Sequence, residues 1–301
     1  MTRSGNTPSA WRELTLAVVG GDEREQEIAR LAAATGATVR AFGFPWPAGG
    51  IAGVARAASA KAALDGAFIA LFPIPGLTPD GSLFGTETII PREEMLGGMA
   101  AGGHIILGTP DDGLKQVCAR LGLTLHGYES DRELMLLRAP AIAEAALKVI
   151  IENTAITIHD ARICVVGQGT IGAVLTRTLI ALGGHVTVAA RNPEQRALAY
   201  TFGARTITTD ELAGAAGGFD MLLSTVPAPI VGQKVIDALP GAALVVDLSA
   251  PPGGVDLDYA RANGRKAVWA RALGRRAPIT VGASQWMGIH KIINAIFDGK
   301  A

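Results

Sequence analysis

The residues best suited to chemistry form one run, Arg162-Ile163-Cys164-Val165-Val166-Gly167-Gln168-Gly169-Thr170-Ile171-Gly172. Apolar residues lead into a GxGxxG pattern, the spacing at which backbone can wrap a pyrophosphate. Gly167 permits a tight turn, Gly169 lets backbone approach the phosphates, and Gly172 lets the next helix pack close to the strand. That helix presents N–H groups without intrahelical partners, and the positive end of its dipole, to an anion. In a chain with 38 glycines the pattern also arises by chance, as a turn that merely permits packing, so its context matters. A helix through Leu175, Leu179 and Leu182 follows, Gly183-Gly184 stops it, and His185 to Ala190 reads as a second strand. This βαβ setting makes the run a dinucleotide site, with Gln168, Thr170 and Ile171 among its contacts.

The end of the second strand separates the two nicotinamide cofactors. An NAD site usually has an Asp or Glu there, whereas this chain has Ala190-Arg191-Asn192. Arg191 can pair with a 2′-phosphate and stack on adenine, which favours NADP. Asn192-Pro193-Glu194 is also a helix start, so Arg191 can equally be a solvated charge beside a cap; the two readings are compatible. Later loops, Ser224-Thr225-Val226-Pro227 and Asp247-Leu248-Ser249 with Ala250-Pro251-Pro252-Gly253-Gly254, offer Thr225, Val226, Pro227 and Ser249 to the nicotinamide ribose. Pro251 to Gly254 also reads simply as a strand end.

A second set of turns lies near the start of the chain: Gly20-Gly21-Asp22, Pro73-Ile74-Pro75-Gly76 and Gly108-Thr109-Pro110. Gly20 and Gly21 before a helix make a small anion nest for a carboxylate, with Arg24 near by or else solvated. No third glycine completes a fingerprint there, so no dinucleotide is expected. None of the five histidines has the flanking pattern of a hydroxyacid dehydrogenase base, and each reads as structural; His126 is placed in a loop. No spacing resembles a metal site, and Cys118 and Cys164 read as small buried hydrophobes. Hydride transfer to a nicotinamide needs chiefly positioning, so the missing acid/base pair is compatible with it.

These residues require elements to hold them. At 301 residues, 49% hydrophobic, the chain suits two α/β domains. Aromatics are 5% and formal net charge is zero, which leaves no electrostatic footprint for nucleic acid or an anionic membrane. The N-terminus lacks the apolar core of a signal peptide, and a cytoplasmic protein is expected. The first domain begins with a strand at Leu14 to Val19; further strands are expected at Thr38 to Phe44, Ala67 to Phe72, His104 to Leu107 and Leu134 to Leu137, and helices at Arg92 to Ala101 and Asp112 to Leu121. A linker helix spans Ala141 to Asn153. The second domain adds strands at Arg205 to Thr208, Met221 to Ser224, Ala243 to Asp247 and Ala267 to Trp269, six with the first two. An amphipathic helix from Gly282 to Asp298 closes the chain. The expected architecture is α/β: two doubly wound parallel-sheet domains, a flavodoxin-like one over residues 1–140 plus 282–301 and a Rossmann dinucleotide-binding one over residues 141–281, with the C-terminal helix crossing back to the first.

In this order, Val18-Val19-Gly20-Gly21-Asp22, Thr157-Ile158-His159, the glycine run, Ala189-Ala190-Arg191, Asp247-Leu248-Ser249 with Pro252-Gly253-Gly254, and Ala277-Pro278 with Thr280 and Gly282 resemble the A-subunit family of bacterial dipicolinate synthase over nearly the whole chain. The resemblance implies an oxidoreductase that acts in spore formation with a flavoprotein-like B subunit, turning a dihydrodipicolinate-type intermediate into dipicolinate with NADP as electron acceptor. It also implies a dicarboxylate substrate, for which Gly20, Gly21, Asp22, Arg24 and Pro73 would form a receptor. Where the family has a Leu-Pro-Gly turn this chain has Ala272-Leu273-Gly274, followed by Arg275 and Arg276, which are either carboxylate receptors or surface charge. Two alternatives stay open: a 2-hydroxyacid or alanine dehydrogenase relative, and an NADP-binding subunit whose catalysis resides in a partner. A two-domain dehydrogenase of this size is expected to be a homo-oligomer.

Overall fold

The computed structural model describes residues 9–129 and 131–299. The chain forms two compact units, Met1–Met135 with Ala277–Ala301, and Leu136–Arg276. The first holds strands β1 (Thr15–Val19), β2 (Thr38–Phe42), β3 (Val54–Arg56), β4 (Ile69–Leu71), β5 (His104–Leu107) and β6 (Thr124–Gly127). All pairings are parallel, in the order β3-β2-β1-β4-β5-β6. Without the three-residue edge strand β3, the other five have the order of flavodoxin; β3 extends it to the six-strand dinucleotide order.

Burial on both faces explains why the central strands β1, β4 and β5 are near-continuous apolar runs, while β2 nearer the edge alternates. Leu16, Val18, Val39, Ile69 and Leu71 enter one core, while Ala17, Val19, Ala70 and Phe72 enter the core on the opposite face. The helix Glu23–Ala34 starts at a capping box: the Asp22 side chain accepts from the Arg24 N–H, and the Glu25 carboxylate accepts from the Asp22 N–H. The helix Asp112–Leu121 is capped by Asp111 and ends at left-handed Gly122.

The second unit holds β7 (Arg162–Val166), β8 (His185–Ala189), β9 (Arg205–Ile207), β10 (Met221–Ser224), β11 (Leu244–Asp247) and β12 (Lys266–Trp269). Their order, β12-β11-β10-β7-β8-β9, is the same doubly wound plan, with the reversal beside β7. Ile163, Val165, Val188 and Leu223 pack on one side, and Cys164, Val166, Leu222 and Val245 on the other. This is the expected Rossmann sheet.

The final helix, Pro278–Phe297, belongs to the first unit, where it packs on Glu23–Ala34. The contact is close because residue 282 is glycine: a Cβ there would lie 2.6 Å from the Arg24 carbonyl oxygen. Trp286, Ile289 and Ile293 join Trp11 and Ile28 in that unit's core.

Several expected elements differ. Leu134 to Leu137 is not a strand but part of a helix, Arg132–Asn153, which also begins well before the expected Ala141 and runs through Pro140. A short apolar run carries no period that separates strand from helix. The last strand is instead β6, which places His126 in a strand rather than a loop. The helix expected over Arg92 to Ala101 shortens to Glu93–Leu96, where Gly97 caps it. Among the described residues no helix is long and apolar enough to cross a membrane.

Candidate functional site

Each glycine after β7 has its own reason in the structure. Gly167 has φ +93°, and a Cβ on it would lie 2.4 Å from Val226 Cγ2. A Cβ on Gly172 would lie 2.3 Å from the Gly167 carbonyl oxygen, so only glycine lets the helix Thr170–Ala181 start this close to the strand. Gly169 is the opposite case: it is exposed, and a Cβ there would meet nothing within 4 Å. That open space lies at the N-cap of a helix with no side-chain cap, whose first intrahelical bond from this end runs from the Ala173 N–H to the Gly169 carbonyl. Uncapped N–H groups beside open space fit a pyrophosphate. Thr170 and Ile171 are half-buried in that first turn. Gln168 points inward: it is buried, and its Oε1 accepts from Thr176 Oγ1 at 3.0 Å.

At the end of β8, Arg191 is exposed. Asn192 caps the helix Pro193–Thr201 by accepting from the Glu194 N–H at 2.8 Å. A residue that sequence reasoning missed organises this corner. Arg196 Nη1 donates to the carbonyls of Ala190 and Arg191, both at 2.7 Å, so one guanidinium holds the backbone that carries another. No spacing rule pairs a helix residue with the carbonyls that precede its cap; only the folded helix start brings them together.

The loops after β10 and β11 are supports more than contacts. Thr225 Oγ1 donates to the Val166 carbonyl at 3.1 Å, and Val226 packs against Gly167, so both brace the glycine turn. Pro227 is exposed. The Ser249 hydroxyl, expected at the ribose, donates instead to Asp247 Oδ1 at 2.6 Å. Its proton is engaged because a fully buried carboxylate needs donors.

In the first unit the anion nest expected at Gly20-Gly21 is filled from within. The Gly20 N–H donates to the Phe42 carbonyl at 2.9 Å, the Gly21 N–H to the Phe84 carbonyl at 2.7 Å, and the Asp22 N–H to Glu25 at 2.7 Å. Arg24 is neither solvated nor open to a ligand carboxylate: it is buried, with Nε and Nη2 donating to Asp22 at 2.8 and 2.9 Å. Burial works against its charge, but the bonds to Asp22 together with the negative charges of Glu25 and Asp22 outweigh it, and its pKa lies above the ordinary value. Burial pushes Glu25 up to about 7, against the attraction of Arg24. Pro73 is buried against Gly20, and Leu83 and Phe84 cover the same glycine. The crevice beside β1, where an open parallel sheet takes ligands, is thus closed by its own chain. Arg275 and Arg276, in the second unit, are exposed in a short turn, Leu273–Arg276.

The two histidines of the second unit stay away from the phosphate turn. His185 opens β8 and His159 precedes β7, both at the opposite end of that sheet. In the first unit His104 and His126 share a 2.9 Å hydrogen bond, and His290 stacks on Trp11. Among the described residues no three His, Cys, Asp or Glu come together to hold a metal ion. Cys118 and Cys164 are free and buried, and burial raises both thiols.

With this geometry in place, two family models match the chain in succession. Residues 15–128 match the N-terminal domain of the dipicolinate synthase A subunit, and residues 149–263 match shikimate/quinate 5-dehydrogenase. The A subunit of dipicolinate synthase from Bacillus subtilis (strain 168) is 28% identical over 89% of this chain and 92% of its own length. The chain resembles the A subunit of dipicolinate synthase. The solved A chain of dipicolinate synthase from Bacillus subtilis aligns with a TM-score of 0.84 over 95% of this chain and 97% of that one, at 26% identity. Its counterpart from Bacillus halodurans gives 0.82 over 93% and 99%, also at 26%. A transhydrogenase from Sinorhizobium meliloti shares the fold, with a TM-score of 0.68 at 16% identity over 93% of this chain and 94% of that one. The second unit is a dehydrogenase-family domain, of the kind that holds a nicotinamide dinucleotide.

Proposed function

We propose that this chain is the A subunit of an NADP-linked dipicolinate synthase, oxidising a dihydrodipicolinate-type ring to dipicolinate with a flavoprotein-like B subunit, in the cytoplasm of the mother cell of a sporulating bacterium. The observation that carries the reading is the pairing of an open, uncapped glycine turn at Gly169 with an exposed Arg191 and no carboxylate at the end of β8. When bound, the nicotinamide would supply a hydride acceptor, and the proton that also leaves the ring would pass to solvent. The chain's own residues bind and orient. Gly169 and the N–H groups of Thr170 and Ile171 receive the pyrophosphate, and Arg191 reads the 2′-phosphate on a corner held by Arg196. Asn192 completes that corner, while Gly167, Gly172, Gln168, Thr225 and Val226 keep the turn in shape and Pro227 borders it.

The two carboxylates of the substrate are assigned to Arg275 and Arg276, which lie at the surface, rather than to Arg24, which is buried. Gly20, Gly21, Asp22 and Pro73 then shape the first unit instead of touching the substrate. One observation favours a second reading, an NADP-binding subunit whose catalysis resides in the partner. The hydroxyls of Thr225 and Ser249 are committed within the chain, so neither is free to donate to a reacting ring.

The deciding experiment combines the purified chain with its B subunit, the dihydrodipicolinate precursor and NADP. Appearance of ultraviolet-absorbing dipicolinate supports the proposal; NADPH binding without turnover supports the second reading. For cofactor choice, Arg191→Ala is expected to weaken NADPH at least about tenfold while NADH changes little, since one charge-assisted pair is lost. Equal losses would remove Arg191 from phosphate recognition.

A further inference from the structure

Asp247 ends β11, at the carboxyl end of the dinucleotide sheet, and is not among the cofactor contacts. It is fully buried, and both oxygens turn to the loop that follows. Oδ1 accepts from the Ser249 N–H at 2.9 Å and from Ser249 Oγ at 2.6 Å; Oδ2 accepts from the N–H groups of Gly254 at 2.7 Å and Val255 at 3.1 Å. One carboxylate therefore pins both ends of the segment from Ser249 to Gly254. Between these ends stand Ala250, Pro251, Pro252 and Gly253, none with a polar side chain that could hold the loop's shape. The glycines let it close: a Cβ at Gly253 would lie 3.1 Å from Asp247 Oδ2, and one at Gly254 2.2 Å from the Val226 carbonyl oxygen. Trp269, at the end of β12, donates from Nε1 to the Ser249 carbonyl at 3.0 Å. The loop is thus fixed to the ends of three neighbouring strands, with Asp247 at the centre.

We infer that Asp247 is a positioning residue for the nicotinamide half of the bound dinucleotide, acting through the loop Ser249 to Gly254. The inference rests on the dinucleotide reading above. In a sheet of this order the cofactor lies across the reversal beside β7, one half over β7 to β9, where Arg191 stands, and the other over β10 to β12. The loop after β11 lies on the second half. With the Ser249 hydroxyl proton given to Asp247, its backbone groups are the main ones it can offer a ligand, and Asp247 sets where they point. A support of this kind matters because small misplacements of binding groups cost affinity and rate.

Asp247→Asn replaces two acceptor positions by an N–H donor facing backbone N–H groups. Calorimetric titration is run on the unaltered chain and the variant with NADPH and with adenosine 2′,5′-bisphosphate, a fragment that lacks the whole nicotinamide half, its ribose included. The expected result is about a tenfold rise in Kd for NADPH with less than about a twofold change for the fragment. No change for NADPH, or equal losses for both ligands, overturns the inference. Binding of neither ligand by the unaltered chain overturns the dinucleotide reading itself. Should the Asn variant fail to fold, Ser249→Ala removes only the hydroxyl bond to Asp247. It is expected to raise the NADPH Kd about threefold and leave the fragment unchanged, and equal or absent losses again overturn the proposal.

Discussion

Gly172 and Gly169 stand in the same fingerprint for opposite reasons. A methyl group at Gly172 meets the Gly167 carbonyl, which is backbone and cannot step aside, so Gly172→Ala is expected to destabilise the second unit by roughly 1–3 kcal/mol. At Gly169 a methyl group meets only open space, so Gly169→Ala should leave stability within roughly 0.5 kcal/mol and weaken NADPH at least about tenfold. Thermal unfolding and NADPH titration of the two variants check this contrast; a stable Gly172→Ala or a binding-competent Gly169→Ala would break it. Glu25 carries a different prediction. Its carboxyl fills the space that a Gly21 side chain would need, and burial lifts it from an ordinary 4.5 to about 7. Between those pH values the folded chain holds a proton that the unfolded chain has released, so stability falls as pH rises through the window, by up to roughly 3 kcal/mol. Glu25→Gln keeps the capping bond and removes the titration. Urea unfolding at pH 5 and pH 8 should show a smaller difference between the two pH values in the variant than in the parent; equal differences would place the titration elsewhere.

At the scale of elements, strands and helices were legible wherever period and punctuation agreed. The glycine stop at Gly183-Gly184 and the cap at Asn192 bracket β8 and its neighbours as expected. The segment Leu134 to Leu137 was not legible, because four residues fit either period and only the long helix around them settles the matter. β3 is not legible for a similar reason: three residues at a sheet edge carry too little pattern. The last helix makes a prediction of its own. Its approach to Glu23–Ala34 depends on Gly282, whose Cβ would strike the Arg24 backbone, so Gly282→Ala is expected to cost about 1–3 kcal/mol and to loosen that helix pair. Hydrogen exchange should rise in Glu23–Ala34 ahead of the rest of the first unit; unchanged protection would mean the helices can part cheaply.

At the scale of the whole molecule, two sheets share one strand order but only one keeps an open glycine turn. In the first unit Leu83 and Phe84 cover Gly20, and the N–H groups of the nest are spent on Phe42, Phe84 and Glu25. Calorimetry is therefore expected to find one NADPH per chain, and a stoichiometry of two would mean that this cover gives way. The sequence by itself determined the glycine turn, the strand ends beside it and the amphipathic C-terminal helix, because glycine spacing, apolar runs and helical period are local properties that any stable fold must respect. Tertiary structure decided the rest. Arg24 turned inward to Asp22, Ser249 was taken by Asp247, Arg196 came under the corner at Arg191, and a segment some sixty residues downstream closed over Gly20. A buried charge or N–H group takes whichever partner the folded chain brings within reach, and no one-dimensional spacing records which partner that is.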